Sequence, residues 1–195
     1  MSSMAPHDNA LTVREALANH YGRMSEPLDG SSASASRWAP LARWPATLPN
    51  FAWRRRALPV HDLHHVLLGY PCTPSGEFEM AAWEFAAGRF RHVGATAFCL
   101  PLVGIGALAH PRRTFDAFAR GRAGRSLYSR GMTPEMLDST VEEVRRIVLP
   151  ASPPVATWRD RAAYAAWVAA ALAWIALPIF VLSVVFAIGA AATLR

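Results

Sequence analysis

Apolar and polar positions divide this chain into two regimes. From Ala162 to Leu194 there are 33 consecutive residues without a charged side chain, and about 20 apolar residues suffice to cross a hydrocarbon core. The run predicts a transmembrane helix. Trp158, Tyr164, Trp167 and Trp174 crowd its first half as an interfacial aromatic belt does, with Arg159 and Arg161 at its start. Pro178 falls mid-run. It either kinks one long span or divides the run into a re-entrant hairpin, and one span is the expectation.

Upstream the pattern is shorter-ranged. Leu11 to Tyr21 reads as a helix, with Thr12 as N-cap and Glu15 three residues on, the spacing of a capping box. Asp29 to Ser36 is a Ser/Gly/Ala segment, and Trp38, Pro40, Trp44, Pro45 and Pro49 suggest an irregular strap over the core. Residues 51–150 alternate helical patterns with Pro and Gly punctuation, without strand periodicity or an internal repeat. Val93 to Ala109 is uncharged over 17 residues, short for a span but suited to a buried or membrane-dipping helix. Pro101 would kink it, and Gly94, Gly104 and Gly106 would allow close helix packing or leave room for a lipid chain. A Pro-rich linker begins at Pro150. The expected architecture is all-α: an N-terminal helix and strap (1–50), a helical domain (51–150), a linker (151–161) and an anchor (162–194).

Composition adds little to that outline. Of 195 residues, 52% are hydrophobic and 17% charged, which excludes disorder throughout. All 20 basic residues are Arg, and Ala fills 37 positions. The net charge of +6 admits nucleic acid, an anionic membrane or an acidic substrate as partner. No zinc-finger, helix-turn-helix or aromatic-basic platform accompanies the charge, which disfavours nucleic acid. Only Cys72 and Cys99 occur, giving no disulfide framework, and the first residues show no secretory signal. With the positive-inside rule, the N-terminal domain is expected in the cytoplasm.

The candidate chemistry lies at His61-Asp62-Leu63-His64-His65. Pro59 can open a helix there, and Gly69 with Pro71 can close it. On that helix His61 and His65 are i and i+4, so both imidazoles leave one face and supply half of a metal site. Asp62 can be a third ligand or can orient an imidazole. After a short turn a second helical pattern starts near Ser75, its expected N-cap, and carries Glu77 in its first turn. The turn can bring Glu77 back towards the two histidines. Glu84, seven residues on, shares that face and is a candidate second-shell base, whereas Glu79 points elsewhere and is expected to be solvated. His64 is a further candidate catalytic imidazole. There is no Gly-x-Ser-x-Gly elbow, no P-loop and no His-Glu-x-x-His.

His61-Asp62-x-x-His65, eleven residues and then Glu77, with Gly69, Pro71 and Gly76 between them, resembles the signature of the Coq-four family of ubiquinone (coenzyme Q) biosynthesis proteins. The resemblance is close from about Ala52 to Glu84 and looser to about Leu149. It does not extend to residues 1–50 or to the tail from Ala162. It implies an all-helical fold at a membrane face and a divalent metal, usually described as zinc, held by His61, Asp62, His65 and Glu77. It further implies either oxidative decarboxylation at ring carbon one of a prenylated hydroxybenzoate or a non-catalytic scaffold for other ubiquinone-biosynthesis enzymes. Oxidative chemistry would call for a redox metal such as iron, because zinc cannot change valence.

Between His110 and Gly131 stand Arg112, Arg113, Arg120, Arg122, Arg125 and Arg130 against a single Asp116. Near an anionic surface each Arg can contribute about 1 kcal/mol. The stretch, with Arg112, Arg113, Arg120 and Arg122 foremost, is expected to meet phospholipid headgroups or a ring carboxylate; Arg54, Arg55 and Arg56 can act likewise. The expected whole is a single-pass, metal-dependent enzyme of a bacterial-type inner membrane. Its partners would be membrane lipid, a polyprenyl quinone intermediate and other enzymes of the pathway, with a homodimer admitted.

Overall fold

The computed structural model describes residues 9–25 and 51–193. The expected strap and the Ser/Gly/Ala segment lie outside them. Among the described residues there are eight helices: α1 (Val13–Ser25), α2 (Ala52–Leu68), α3 (Pro74–Ala87), α4 (Val93–Ala109), α5 (Pro111–Ala123), α6 (Pro134–Asp138), α7 (Val141–Val148) and α8 (Trp158–Thr193). The all-α expectation holds, and the pairing of Thr12 with Thr140 is an isolated bridge rather than a strand.

Local signals explain most helix ends. Thr12 and Glu15 form the expected reciprocal cap on α1, with Thr12 N–H to Glu15 Oε2 at 2.9 Å. Thr140 and Glu143 repeat it on α7. Gly69 closes α2 at φ 72°, its N–H bonded to the His65 carbonyl. Two starts differ from expectation. α2 begins at Ala52 and runs through Pro59; the arginine-rich turn before the proline has good helix propensity, and Val60, Leu63 and Leu67 then bury the helix. α3 is capped by Thr73, with Pro74 at its first position, rather than by Ser75.

The main core gathers Val13, Leu63, Leu67, Met80, Trp83, Phe118 and Leu127, with Val141, Val144 and Val148 of α7 at i, i+3 and i+7. Arg145 Nε donates to the Leu67 carbonyl at 2.7 Å and fixes α7 to the end of α2. α3 and α5 cross closely at Gly121, where an added Cβ would stand 2.4 Å from the Trp83 carbonyl oxygen.

A second cluster joins Ala81, Phe85, Leu100 and Val103 to Ala171, with Trp167 and Val168 packed on it. The first half of α8 is therefore docked on α3 and α4. Beyond it the helix leaves the domain, and Leu177, Phe180 and Phe186 are exposed. α8 passes through Pro178 as one helix, so the re-entrant hairpin is not formed. Its stretch Trp158–Phe186, 29 residues, is long and apolar enough to cross a membrane. At about 1.5 Å per residue it exceeds the roughly 30 Å hydrocarbon core.

Gly121→Ala forces the α3–α5 crossing apart. It is expected to cost about 1–3 kcal/mol and to lower Tm by several degrees in thermal unfolding followed by circular dichroism.

Candidate metal centre

α2 places His61 and His65 one turn apart, and their Nε2 atoms come to 3.1 Å from each other. The chain then reverses over Gly69–Thr73. The Thr73 hydroxyl accepts from Gly76 N–H at 3.3 Å. Gly76 lies so close to the turn that a Cβ would stand 1.9 Å from the Pro71 carbonyl oxygen. That approach sets the entry of α3 and returns Glu77 to α2. Glu77 Oε2 lies 3.3 Å from His61 Nε2 and Oε1 lies 3.3 Å from His65 Nε2.

His61, His65 and Glu77 thus present three donor atoms within 4.8 Å of one another, a group that can hold a metal ion. Metal–nitrogen distances of about 2.0–2.1 Å imply donor–donor edges of roughly 3.0 Å in octahedral and 3.3–3.4 Å in tetrahedral geometry. The observed Nε2–Nε2 separation of 3.1 Å is of that size, and each Nε2 lies 3.3 Å from a different oxygen of Glu77. Hydrogen bonding alone can give similar edges, so the outer contacts matter more. His61 Nδ1 donates to Glu84 Oε1 at 3.1 Å, and His65 Nδ1 to the Tyr70 carbonyl at 2.9 Å. With each Nδ1 so occupied, loss of the Nε2 protons would turn both lone pairs into the triangle, the tautomer a metal requires.

Glu84 lies behind His61 rather than in the donor group itself. Its Oε1 also accepts from His64 Nδ1 and from the Tyr128 hydroxyl, each at 2.8 Å. His64, expected as a catalytic candidate, is instead a fully buried brace, because its Nε2 accepts from Leu127 N–H at 3.0 Å. Asp62 is not in the three-residue group. One position along a helix turns a side chain by about 100°, and Asp62 Oδ2 accepts from the Tyr21 hydroxyl of α1 at 3.0 Å. The donor group thus contains three of the four expected ligands. Tyr128, Leu127 and the Tyr70 carbonyl had no expected site role, nor did His20, stacked on His65 at 6.1 Å, or Cys72, 3.7 Å from His20 Nε2. No local spacing announces them.

The charges are tightly balanced. Burial opposes a proton on His61, but Glu84 and Glu77 outweigh it and hold the imidazole pKa well above its ordinary value. His65 is likewise raised against burial, by its bonds to Cys72 and Glu77. Burial would lift the carboxyl of Glu77, yet the two imidazoles draw it down to about 2. Glu84 is also lowered against burial, by His61 and His64. With the two Nε2 atoms 3.1 Å apart, the imidazoles lose their protons as a coupled pair.

The other expected site residues are largely spent within the fold. Arg113 pairs with Glu79 at 2.5 Å, so Glu79 is covered rather than solvated. Arg120 stacks on Tyr70 and donates to its hydroxyl, and Arg122 pairs with Asp160. The glycines of α4 serve packing: Gly94 abuts Trp53, Gly104 abuts Ala171 and Gly106 abuts Phe78.

Glu84→Gln is expected to weaken divalent-metal affinity about 10–100-fold, and His65→Ala to abolish stoichiometric binding. Asp62→Asn should leave metal content unchanged, as read by elemental analysis and competitive titration. The raised imidazole pKa values stabilise the metal-free fold below the ordinary imidazole pKa, and this stabilisation fades as pH rises through the raised values. Metal must displace these imidazole protons, so affinity should climb over the same window. Titration calorimetry in buffers of different ionisation enthalpy should show protons released on metal binding near pH 8.

No protein-family model, curated protein or solved structure matches this chain.

Proposed function

We propose that this chain is a membrane-anchored, metal-dependent enzyme of quinone biosynthesis, acting on the ring carboxyl of a polyprenyl-hydroxybenzoate. The observation that carries the reading is the two-histidine, one-carboxylate face. His61 Nε2, His65 Nε2 and Glu77 would hold an ion, and the Glu77 side chain is 32% exposed, so the group is reachable from outside. Such a face keeps positions for substrate oxygens, unlike a closed structural site. The sequence resemblance to the Coq-four family supplies the substrate class, and α8 would hold the domain where a polyprenyl chain is dissolved.

A divalent ion bound there supplies Lewis-acid stabilisation of an anionic ring oxygen, with iron rather than zinc if the reaction is oxidative. The remaining work falls to the chain. Glu84 and the Tyr70 carbonyl keep both imidazoles aimed, and Tyr128 and His64 hold Glu84 in place. In the oxidative form the ring–carboxyl bond breaks, carbon dioxide leaves, and a ring hydroxyl replaces it. Dioxygen supplies that oxygen; its second atom leaves as water with two electrons and two protons from an external reductant. The alternative, a non-catalytic scaffold presenting quinone intermediates to other enzymes, uses the same anchor and keeps the metal for structure. In either case the helical domain would face the cytoplasm of a bacterial-type inner membrane.

Deleting the gene should cause a carboxylated prenyl ring to accumulate in quinone profiles by mass spectrometry. The wild-type chain should clear it, and His65→Ala, present in membranes at the wild-type level, should not. Full rescue by His65→Ala would overturn the enzymatic reading.

A further inference from the structure

Three of the arginines of α5, Arg113, Arg120 and Arg122, are engaged by Glu79, Tyr70 and Asp160. Arg112 is not. It stands exposed on the first turn of α5 beside Arg161, whose guanidinium lies 5.0 Å over the Phe115 ring. Together with Pro111, Phe115 and Tyr164, the two arginines line an open notch of about 320 Å³. No carboxylate is among its lining residues. The end of α5 that contributes to it has neither an acidic residue in its first turn nor a side-chain cap, so its positive dipole end adds to the two guanidinium charges.

The position of the notch matters as much as its charge. Arg161 is the last charged residue before the uncharged run that starts at Ala162. The notch therefore lies at the foot of α8, with cations on one wall and aromatic rings on another. A larger cavity of about 480 Å³ near Arg125, Arg130 and Arg146 lacks this logic. It adjoins the C-terminal ends of α5 and α7, whose carbonyls already favour cationic side chains.

We infer that this notch binds the phosphodiester headgroup of an anionic phospholipid. Arg112 and Arg161 take the phosphate oxygens, and Phe115 and Tyr164 pack against the glycerol and the first acyl carbons. The inference rests on the reading of α8 as a membrane span. Inorganic phosphate offers the same oxygens but nothing for the aromatic wall.

The test uses the full chain in an uncharged detergent, with phosphatidylglycerol or phosphatidylcholine of matched acyl chains, and bound lipid counted by native mass spectrometry. Wild type should prefer phosphatidylglycerol on the order of tenfold, and millimolar inorganic phosphate should not displace it. Arg112→Gln with Arg161→Gln should reduce the preference to within about twofold while Tm stays unchanged. Both proteins should float with neutral phosphatidylcholine liposomes. Equal lipid counts in wild type, or a preference kept by a folded double variant, would overturn the headgroup site alone. Displacement by inorganic phosphate would assign the notch to free phosphate instead. Failure of both proteins to float would remove the anchor, and this inference with it.

Discussion

Glu84 Oε1 is reached by donors from three places in the chain: His61 and His64 of α2, and Tyr128 from the segment after α5. A carboxylate this deeply buried costs several kcal/mol when it has no partners. Its three donors offset that cost and in doing so fix the rotation of α2 against α3. Because one of the donors is an imidazole of the candidate metal group, the same constraint that lets the core close also aims His61. His64 carries it further, to the Leu127 backbone. Stability and ligand geometry are set by one oxygen atom.

α3 links this centre to the anchor. Glu84 faces α2, while Phe85, the next residue, meets Trp167 of α8 edge to face at 4.9 Å. Arg89 then lies 5.0 Å over the same indole. The candidate metal group and the apolar helix thus meet α3 on different faces. That arrangement suits a reaction whose reactive ring is polar and whose tail belongs in lipid. It also explains why the first half of α8 is partly covered while the second half is not: only the first half has α3 and α4 beside it.

The parts of the site that were legible in the sequence are those set by helical period and a short turn. His61 and His65 at i, i+4, Glu77 after the reversal and Glu84 two turns later all follow from local geometry. Asp62 did not, because adjacency in sequence is not adjacency on a helix face, and Tyr21 from α1 was there to receive it. The cap at Thr73 was legible in principle: Pro74 marks the first helical position, and Ser75 already lies inside. Tyr128, 44 residues from Glu84, has no local signature. Nor did charge counting reveal which arginines were free, since Glu79, Tyr70 and Asp160 reach theirs only through tertiary packing.

X-ray absorption on the metal-loaded full chain tests the central claim most directly. One ion per chain is predicted, with only nitrogen and oxygen neighbours at about 2.0–2.2 Å and the outer-shell scattering of two imidazoles. A Glu77→Ala chain should lose the ion. A thiolate in the coordination shell, from Cys72 or Cys99, would contradict the account. So would a wild-type chain that takes up no divalent metal.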